Sequence, residues 1–353
     1  MPAARPDQQL RLTSIEDYLG PGENRFFSRG YQRARYTVRD LLVSPATTGP
    51  GVRATADIDY PRDWSRKRTG SDLRPHLSTV DALVLGVQLA ELHLAHGYGL
   101  DGSARRQMRL RKVQLRAGGA PQEILKGVPL AARLLRTEGV EQATGRSRSV
   151  HECAVGNLQV RCEIEHGHGA AADGLARYAD LTEALGPGPD RFYGEGFQLR
   201  RHHIHNVQVD MSALRAEAAV RFEAESDPTG SASGAGQGLE GGAQPAVSLL
   251  DAFVVNLQLA QVLLYELDSV SRAQSNTLWM TRTVLEAEDA RPRPLPAPFE
   301  PPLRAEAALS GKRLLPLRGS TWRSVDIAGS LGGVALRCAF AHELPAAAAA
   351  SAT

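Results

Sequence analysis

Residues 78–96 of this chain read STVDALVLGVQLAELHLAH, a helical text with almost no polar face. Val80, Leu83, Val84, Leu85, Val87, Leu89, Leu92 and Leu94 occupy the full circumference rather than one stripe, the pattern of a helix enclosed by protein on most sides. The text is written twice. Residues 248–264, SLLDAFVVNLQLAQVLL, match residues 78–94 at eight of seventeen positions, with Asp251 on Asp81 and Gln258 on Gln88 at an offset of 251 − 81 = 170.

Two further landmarks repeat in the same order. LGPGENRFFSRGYQ, residues 19–32, returns as LGPGPDRFYGEGFQ at 185–198, eight identities in fourteen with an offset of 191 − 25 = 166. Arg161-Cys162 and His166 return as Arg337-Cys338 and His342, offset 342 − 166 = 176. Loop insertions account for the drift. In each copy Gly-Pro-Gly reads as a turn and the following Arg-Phe as the start of a strand.

Around these landmarks the alternation is of β type. Strands are expected at 34–43, 52–60, 107–117, 127–137 and 149–166 in the first half. In the second they fall at 200–210, 215–225, 277–287 and 333–342. Each half then reads as strands, one long buried helix, and more strands. An antiparallel sheet wrapped round one long helix is the hotdog architecture. The fold class is therefore α+β, a tandem or double hotdog, with repeats at 14–170 and 180–343 forming an internal pseudo-dimer. A doubly wound α/β fold would put a helix after every strand and does not fit. Residues 227–245 are rich in Gly, Ser and Ala and read as a flexible loop; the proline-rich residues 291–302 read as an extended connector.

Several classes of function are excluded by composition. The formal charge of +2 argues against nucleic acid as a partner. Polar residues interrupt both long apolar stretches, so no membrane span is expected. The N-terminus has no apolar signal region, and three cysteines without a CxxC pair suit a reducing, cytoplasmic location. His203 and His205 share a strand face, but no Cys or acid completes a metal set. The glycine-rich segment lacks GxxxxGK[ST]; neither metal nor cofactor is expected.

LGPGENRFFSRGYQ, YPRDWSRK, LRPHLSTVDALVLGVQLAE and VRCEIEH together resemble the AvrD family of bacterial proteins. The resemblance implies a part in making syringolide-like signals, acyl glycoside or butenolide-type molecules of secondary metabolism. The implied chemistry is of acyltransferase or condensing type, joining a β-ketoacyl thioester on acyl carrier protein or CoA to a sugar or polyol such as xylulose. The A-factor synthases are more distantly similar. The fold alone also admits an acyl-thioester hydrolase, a dehydratase, or a non-catalytic binder of an acyl ligand. The sequence leaves open chain length, sugar, and whether the pseudo-dimer pairs again as a homodimer.

Asp81 is similar in context to the helix-start acid of hotdog dehydratases and is a candidate acid/base. The competing reading is structural, because Ser78-x-x-Asp81 and Ser248-x-x-Asp251 both have the form of a capping box. The dehydratase histidine, about fourteen residues upstream, is replaced here by Lys67, with His76 nearer the helix. Residues 60–77 carry Tyr60, Trp64, Ser65, Arg66, Lys67 and His76, whereas the second copy offers mainly glycine and serine. That asymmetry points to one elaborated site. There Trp64 covers an acyl chain or stacks on a sugar, Tyr60 and Ser65 add contacts, Arg66 or Lys67 polarises a carbonyl or pairs with phosphate, and His76 or Asp81 moves protons. Lys67 as a Schiff-base amine is a further option. Gln88 is expected either to bridge the two helices or to touch substrate, and Arg25 and Arg191 to anchor turns rather than bind phosphate.

Overall fold

Both apolar texts are helices, Thr79–Gly97 and Leu249–Asp268. Ser78 and Ser248 stop them at the N-terminal end. Each serine hydroxyl accepts the N–H of the aspartate three residues on, and that aspartate accepts the serine's own N–H. Two otherwise orphaned donors are satisfied per box. The second helix ends at Ser269, whose backbone is left-handed (φ +52°). It is long and apolar enough to cross a membrane by length and composition, against the expectation from its text, yet nearly all of it is buried in the protein.

In the computed structural model the described residues are 9–45, 51–65, 74–141, 145–169, 174–224, 236–275, 278–288, 291–317, 319–345 and 348–349. They include fourteen strands. Before the first long helix lie β1 (Gln9–Ser14), β2 (Arg35–Val43) and β3 (Val52–Asp59). After it come β4 (Arg109–Arg116), β5 (Val128–Glu141), β6 (Arg146–Val155), β7 (Leu158–His166) and β8 (Ala176–Asp180). The second half supplies β9 (Arg200–Asp210), β10 (Arg215–Ala224), β11 (Trp279–Ala287), β12 (Leu303–Leu317), β13 (Ser320–Leu331) and β14 (Val334–Glu343).

All fourteen form one antiparallel sheet, in the order β1-β9-β10-β12-β13-β14-β11-β4-β7-β6-β5-β3-β2-β8. Strands β2 to β7 hold the first helix and β9 to β14 the second, and β4 meets β11 at the seam, Val113 opposite Leu285. This is a hotdog arrangement. Gly86 lets the first helix settle on β7, since a Cβ there would stand 3.0 Å from Val160. Leu83, Leu85 and Leu89 are fully buried, and truncating one to alanine would cost about 2–5 kcal/mol.

The two outermost strands are exchanged. β1 precedes β2 in sequence but pairs with β9, and β8 precedes β9 but pairs with β2. The segments that follow them cross over in the same sense. Arg25 Nη1 donates to Gln258 Oε1 of the second helix at 2.6 Å, and Arg191 Nη1 donates to Gln88 Oε1 of the first at 3.3 Å.

Several expectations are corrected. Residues 149–166 are not one strand but the hairpin of β6 and β7, turned at Gly156 with φ +55°. Arg25-Phe26-Phe27 opens a helical turn, Phe26–Gly30, because the Arg25 carbonyl accepts the N–H groups of Ser28, Arg29 and Gly30. β12 and β13 arise where no strand was expected, after the proline-rich connector. Of the glycine-rich loop, 227–235 lie outside the described residues, but 236–245 are docked. Leu239 and Glu240 are buried there, and the Gln237 N–H donates to the Asp190 carbonyl.

Candidate functional site

A cavity of about 140 Å³ opens beside the start of the first long helix, at the seam between the halves. Its walls come from distant stretches of chain. Phe26 and Phe27 enter from the helical turn after β1, and Trp64 and Ser65 from the segment after β3. His76, Ser78 and Thr79 lead into the helix. The second half closes it with Tyr265 and Gln261 of its long helix and with Leu278, Trp279 and Met280 at the start of β11. Gly30 permits the close approach of two of these walls, since a Cβ there would collide with the Trp64 carbonyl oxygen.

Aromatic packing fixes the apolar side. Trp64 is buried, with its ring 5.5 Å from Phe26, 5.3 Å from Tyr60 and 6.0 Å from His76. The contacts with Phe26 and His76 are edge-to-face and that with Tyr60 tilted, and such ring contacts add directional preference to the burial itself. The half-buried His76 has Nδ1 3.3 Å from the Arg74 carbonyl oxygen. A proton on Nδ1 donates there and leaves Nε2 basic.

Asp81 sits one layer behind, fully buried and reaching the cavity only through Ser78. Its four donors are the Tyr36 hydroxyl at 2.8 Å, the Tyr60 hydroxyl, and the Ser78 N–H and hydroxyl at 2.8 Å each. None carries a positive charge. Burial therefore dominates and raises the carboxyl pKa, against the lowering effect of these hydrogen bonds. Burial, with the neighbouring Asp81 charge, also lifts both phenols well above their ordinary value.

Asp251 has the same capping box and opposite electrostatics. Arg200 Nη1 lies 2.6 Å from Oδ2, and His202 Nε2 lies 2.7 Å from Oδ1. Burial pushes this carboxyl up as well, but Arg200 and then His202 outweigh it and hold it well below the usual carboxylate range. At the offset of 166, His202 stands where the first half has Tyr36 and Arg200 where it has Ala34. Beside the second helix start the space is almost closed, about 20 Å³ among Leu110, Val247, Leu249 and Arg293.

The sequence model of the Pseudomonas avirulence D protein (AvrD) family matches residues 10–345. The chain belongs to the AvrD family. No curated protein sequence matches it. Among solved structures, this AvrD chain is similar to the 12:0-ACP thioesterase of Umbellularia californica, at 16% identity over 82% of this chain and 93% of that one, TM-score 0.40. It is also similar to the TesB protein of Mycobacterium avium subspecies paratuberculosis, at 10% identity over 83% and 92%, TM-score 0.37. A third is the acyl-CoA thioesterase II TesB2 of Mycobacterium marinum, at 12% identity over 72% and 89%, TM-score 0.28. The hotdog architecture of the AvrD chain rests on its own sheet order and helices.

Of the residues picked out in the AvrD sequence, Trp64, Ser65 and His76 meet at the cavity, and Tyr60 and Asp81 stand together behind Ser78. Arg66 and Lys67 lie outside the described residues. Gln88 is buried away from the cavity and neither bridges the helices nor lines the site; it takes the Arg191 guanidinium instead. The Arg25 carbonyl closes its turn, while its guanidinium donates to Gln258 of the second long helix, and the residue lines the cavity. Sequence reading missed the second half's share, Gln261, Tyr265, Arg272, Ser275, Leu278, Trp279 and Met280. The one available signal was the offset that sets Gln261 of the second helix opposite Glu91 of the first.

Proposed function

We propose that this AvrD protein is a biosynthetic enzyme that takes a β-ketoacyl thioester, delivered on acyl carrier protein or CoA, and transfers its acyl group to a hydroxyl of a sugar or polyol. The product is a syringolide- or butenolide-like acyl signal. The chain works as two hotdog halves in tandem, of which the first keeps the chemistry. The observation that carries this reading is the asymmetry of the two helix starts. The first has an apolar cavity, an aromatic wall, His76 and a buried acid without a cation; the second has a filled space and an acid locked by Arg200 and His202.

In this scheme the acyl chain lies against Phe26, Phe27, Trp64 and Met280, and the thioester carbonyl faces the first turn of the helix at Thr79. The unpaired N–H groups and positive end of a helix stabilise an oxyanion there. His76 Nε2 removes the proton of the attacking hydroxyl as its oxygen bonds to the carbonyl carbon. The tetrahedral intermediate collapses, the C–S bond breaks, and His76 returns the proton to the departing thiolate. Asp81 holds Ser78, Tyr36 and Tyr60 in place behind the reacting groups. Lys67 and Arg66 serve as electrostatic partners of the thioester or sugar.

Mass spectrometry after incubation with a β-ketoacyl thioester and a panel of sugars and polyols tests the proposal. An acyl–sugar adduct is the expected product. Free acid would make the protein a hydrolase, an enoyl product a dehydratase, and saturable binding without turnover a receptor for an acyl ligand.

A further inference from the structure

Strands β4 and β11 meet antiparallel at the seam. The offset of 170 that aligns the two long helices also aligns these strands, since Val113 pairs with Cys162 as Thr283 pairs with Cys338. At that offset Lys112 falls on Arg282 and Arg116 falls on Glu286. One cross-strand pair, Lys112 opposite Glu286, thus corresponds to another, Arg282 opposite Arg116. The first is an ion pair, with Lys112 Nζ 2.9 Å from Glu286 Oε2. The second sets two cations face to face.

The like-charged pair lies at the cavity end of the seam. Ala117 follows Arg116, Met280 stands just before Arg282, and both line the cavity. The Ala117 N–H donates to the Thr281 carbonyl at 3.2 Å, closing the two strands there. Val113, Leu115, Thr283 and Leu285 are buried under the helices, so by alternation Arg116 and Arg282 project from the outer face, and both are exposed. Among the described residues neither has an ion-pair or side-chain hydrogen-bond partner. Their neighbours in the same row are Gln159 on β7 and Ala339 on β14, and the first acid in that row is Asp326. It stands two strands from Arg282, about 9.5 Å at ordinary strand spacing. Like charges directly opposite across a strand pair, with Cβ atoms about 5 Å apart, repel each other. The sheet cancels this repulsion at Lys112 and Glu286 and leaves it in place beside the cavity.

We infer that Arg116 and Arg282 form an anion clamp at the cavity mouth, and that they hold a phosphate of the pantetheine arm on which the acyl thioester arrives. The inference rests on the reading above that the cavity takes an acyl thioester, and it adds the group recognised outside the cavity. A phosphopantetheine arm carries its charge at the end remote from the sulfur. Its thioester can therefore enter a mainly apolar space while its phosphate stays on the outer face. Guanidinium groups present paired N–H donors that match phosphate oxygens.

Titration calorimetry of the full chain with pantetheine, phosphopantetheine and coenzyme A tests it. Phosphopantetheine should bind tighter than pantetheine by about tenfold, the effect of charge-assisted hydrogen bonds. The difference should shrink in high salt, because the clamp is exposed. Arg116→Gln should cut the preference to under about threefold, whereas Lys112→Gln, which removes the same charge from the other end of the seam, should keep it. Arg116→Glu rebuilds the ion pair seen at Lys112 and Glu286, so it should hold or raise the melting temperature and abolish the preference. Pantetheine binding as tightly as phosphopantetheine, no binding by any probe, or an intact preference in Arg116→Glu would overturn the inference. Coenzyme A binding tighter still makes CoA the source of the phosphate; binding equal to phosphopantetheine makes a carrier protein the source. Failure of acyl transfer with the phosphate preference intact removes only the acyltransferase reading, and loss of the preference with transfer intact removes only this one.

Discussion

Tyr36 donates a 2.8 Å hydrogen bond to Asp81, whereas at the matching position of the second half His202 lies 2.7 Å from Asp251. One neutral phenol against one imidazole, with Arg200 added on the second side, separates two aspartates that cap their helices identically. The helix-start acid is a structural cap in both halves. Only in the first is it also a carboxyl with a raised pKa beside a cavity.

Asparagine at each position should show the difference. Asp251→Asn leaves Arg200 buried without its counter-ion and is expected to cost about 3–5 kcal/mol. Asp81→Asn loses capping hydrogen bonds but strands no cation, for about 1–2 kcal/mol. Urea unfolding of the two variants measures both. Equal losses would mean that the ion pair does not set the two acids apart.

His76→Gln should reduce acyl transfer by about 10²–10⁴-fold, the usual contribution of a general base. Its one side-chain hydrogen bond among the described residues is a 3.3 Å contact to the Arg74 carbonyl, so the melting temperature should hardly move. Single-turnover rates with saturating thioester are the measurement. A rate within threefold of wild type would move the base elsewhere.

Glu240 predicts a stability loss at alkaline pH. Burial raises its carboxyl from 4.5 to about 7, against the lowering effect of the Leu110 N–H. The folded state therefore keeps a proton that the unfolded state has released, and this stabilisation is complete below pH 4.5 and lost as pH rises through 7. Wild type should be less stable at pH 8 than at pH 4.5 by about 3 kcal/mol on this account. Glu240→Gln, which mimics the protonated form, should flatten that slope in chemical denaturation at stepped pH.

His93 predicts the opposite slope on the acid side. Its Nδ1 lies 3.0 Å from His151 Nε2, and burial lowers its pKa from 6.5 to about 4 and that of His151 well below 6.5. Here the unfolded state binds the extra proton, so stability is full above pH 6.5 and falls as pH drops toward 4. The loss from His93 alone should reach about 2 kcal/mol at pH 5. His93→Gln should unfold with a smaller difference between pH 7 and pH 5 than wild type; an unchanged difference would show that the pair is not the titrating group.

The long helices were legible because Ser-x-x-Asp followed by all-round apolar residues admits few other structures. Trp64 and His76, which line the cavity, could be singled out because the second copy's text has no such segment. The exchange of β1 and β8 was not, since QLRLTS names no partner and its partner strand begins nearly two hundred residues later. The cavity's second wall, with Gln261, Tyr265 and Met280, was hidden for the same reason: a seam between halves is a property of the assembled sheet. The contrast between Asp81 and Asp251 was present in the text, but only in the residues aligned beside them, Ala34 with Arg200 and Tyr36 with His202.

The crossing of β1 to β9 also has a consequence on the ribosome. β1 leaves the exit tunnel long before its partner, a strand that starts at Arg200. At about 5–20 residues per second it waits roughly ten to forty seconds for that partner. Meanwhile the first half can close with β8, made about twenty residues before β9. A strand made before its neighbours β2 and β3 is thus fastened after them, and a product truncated between residues 15 and 199 carries β1 without its partner.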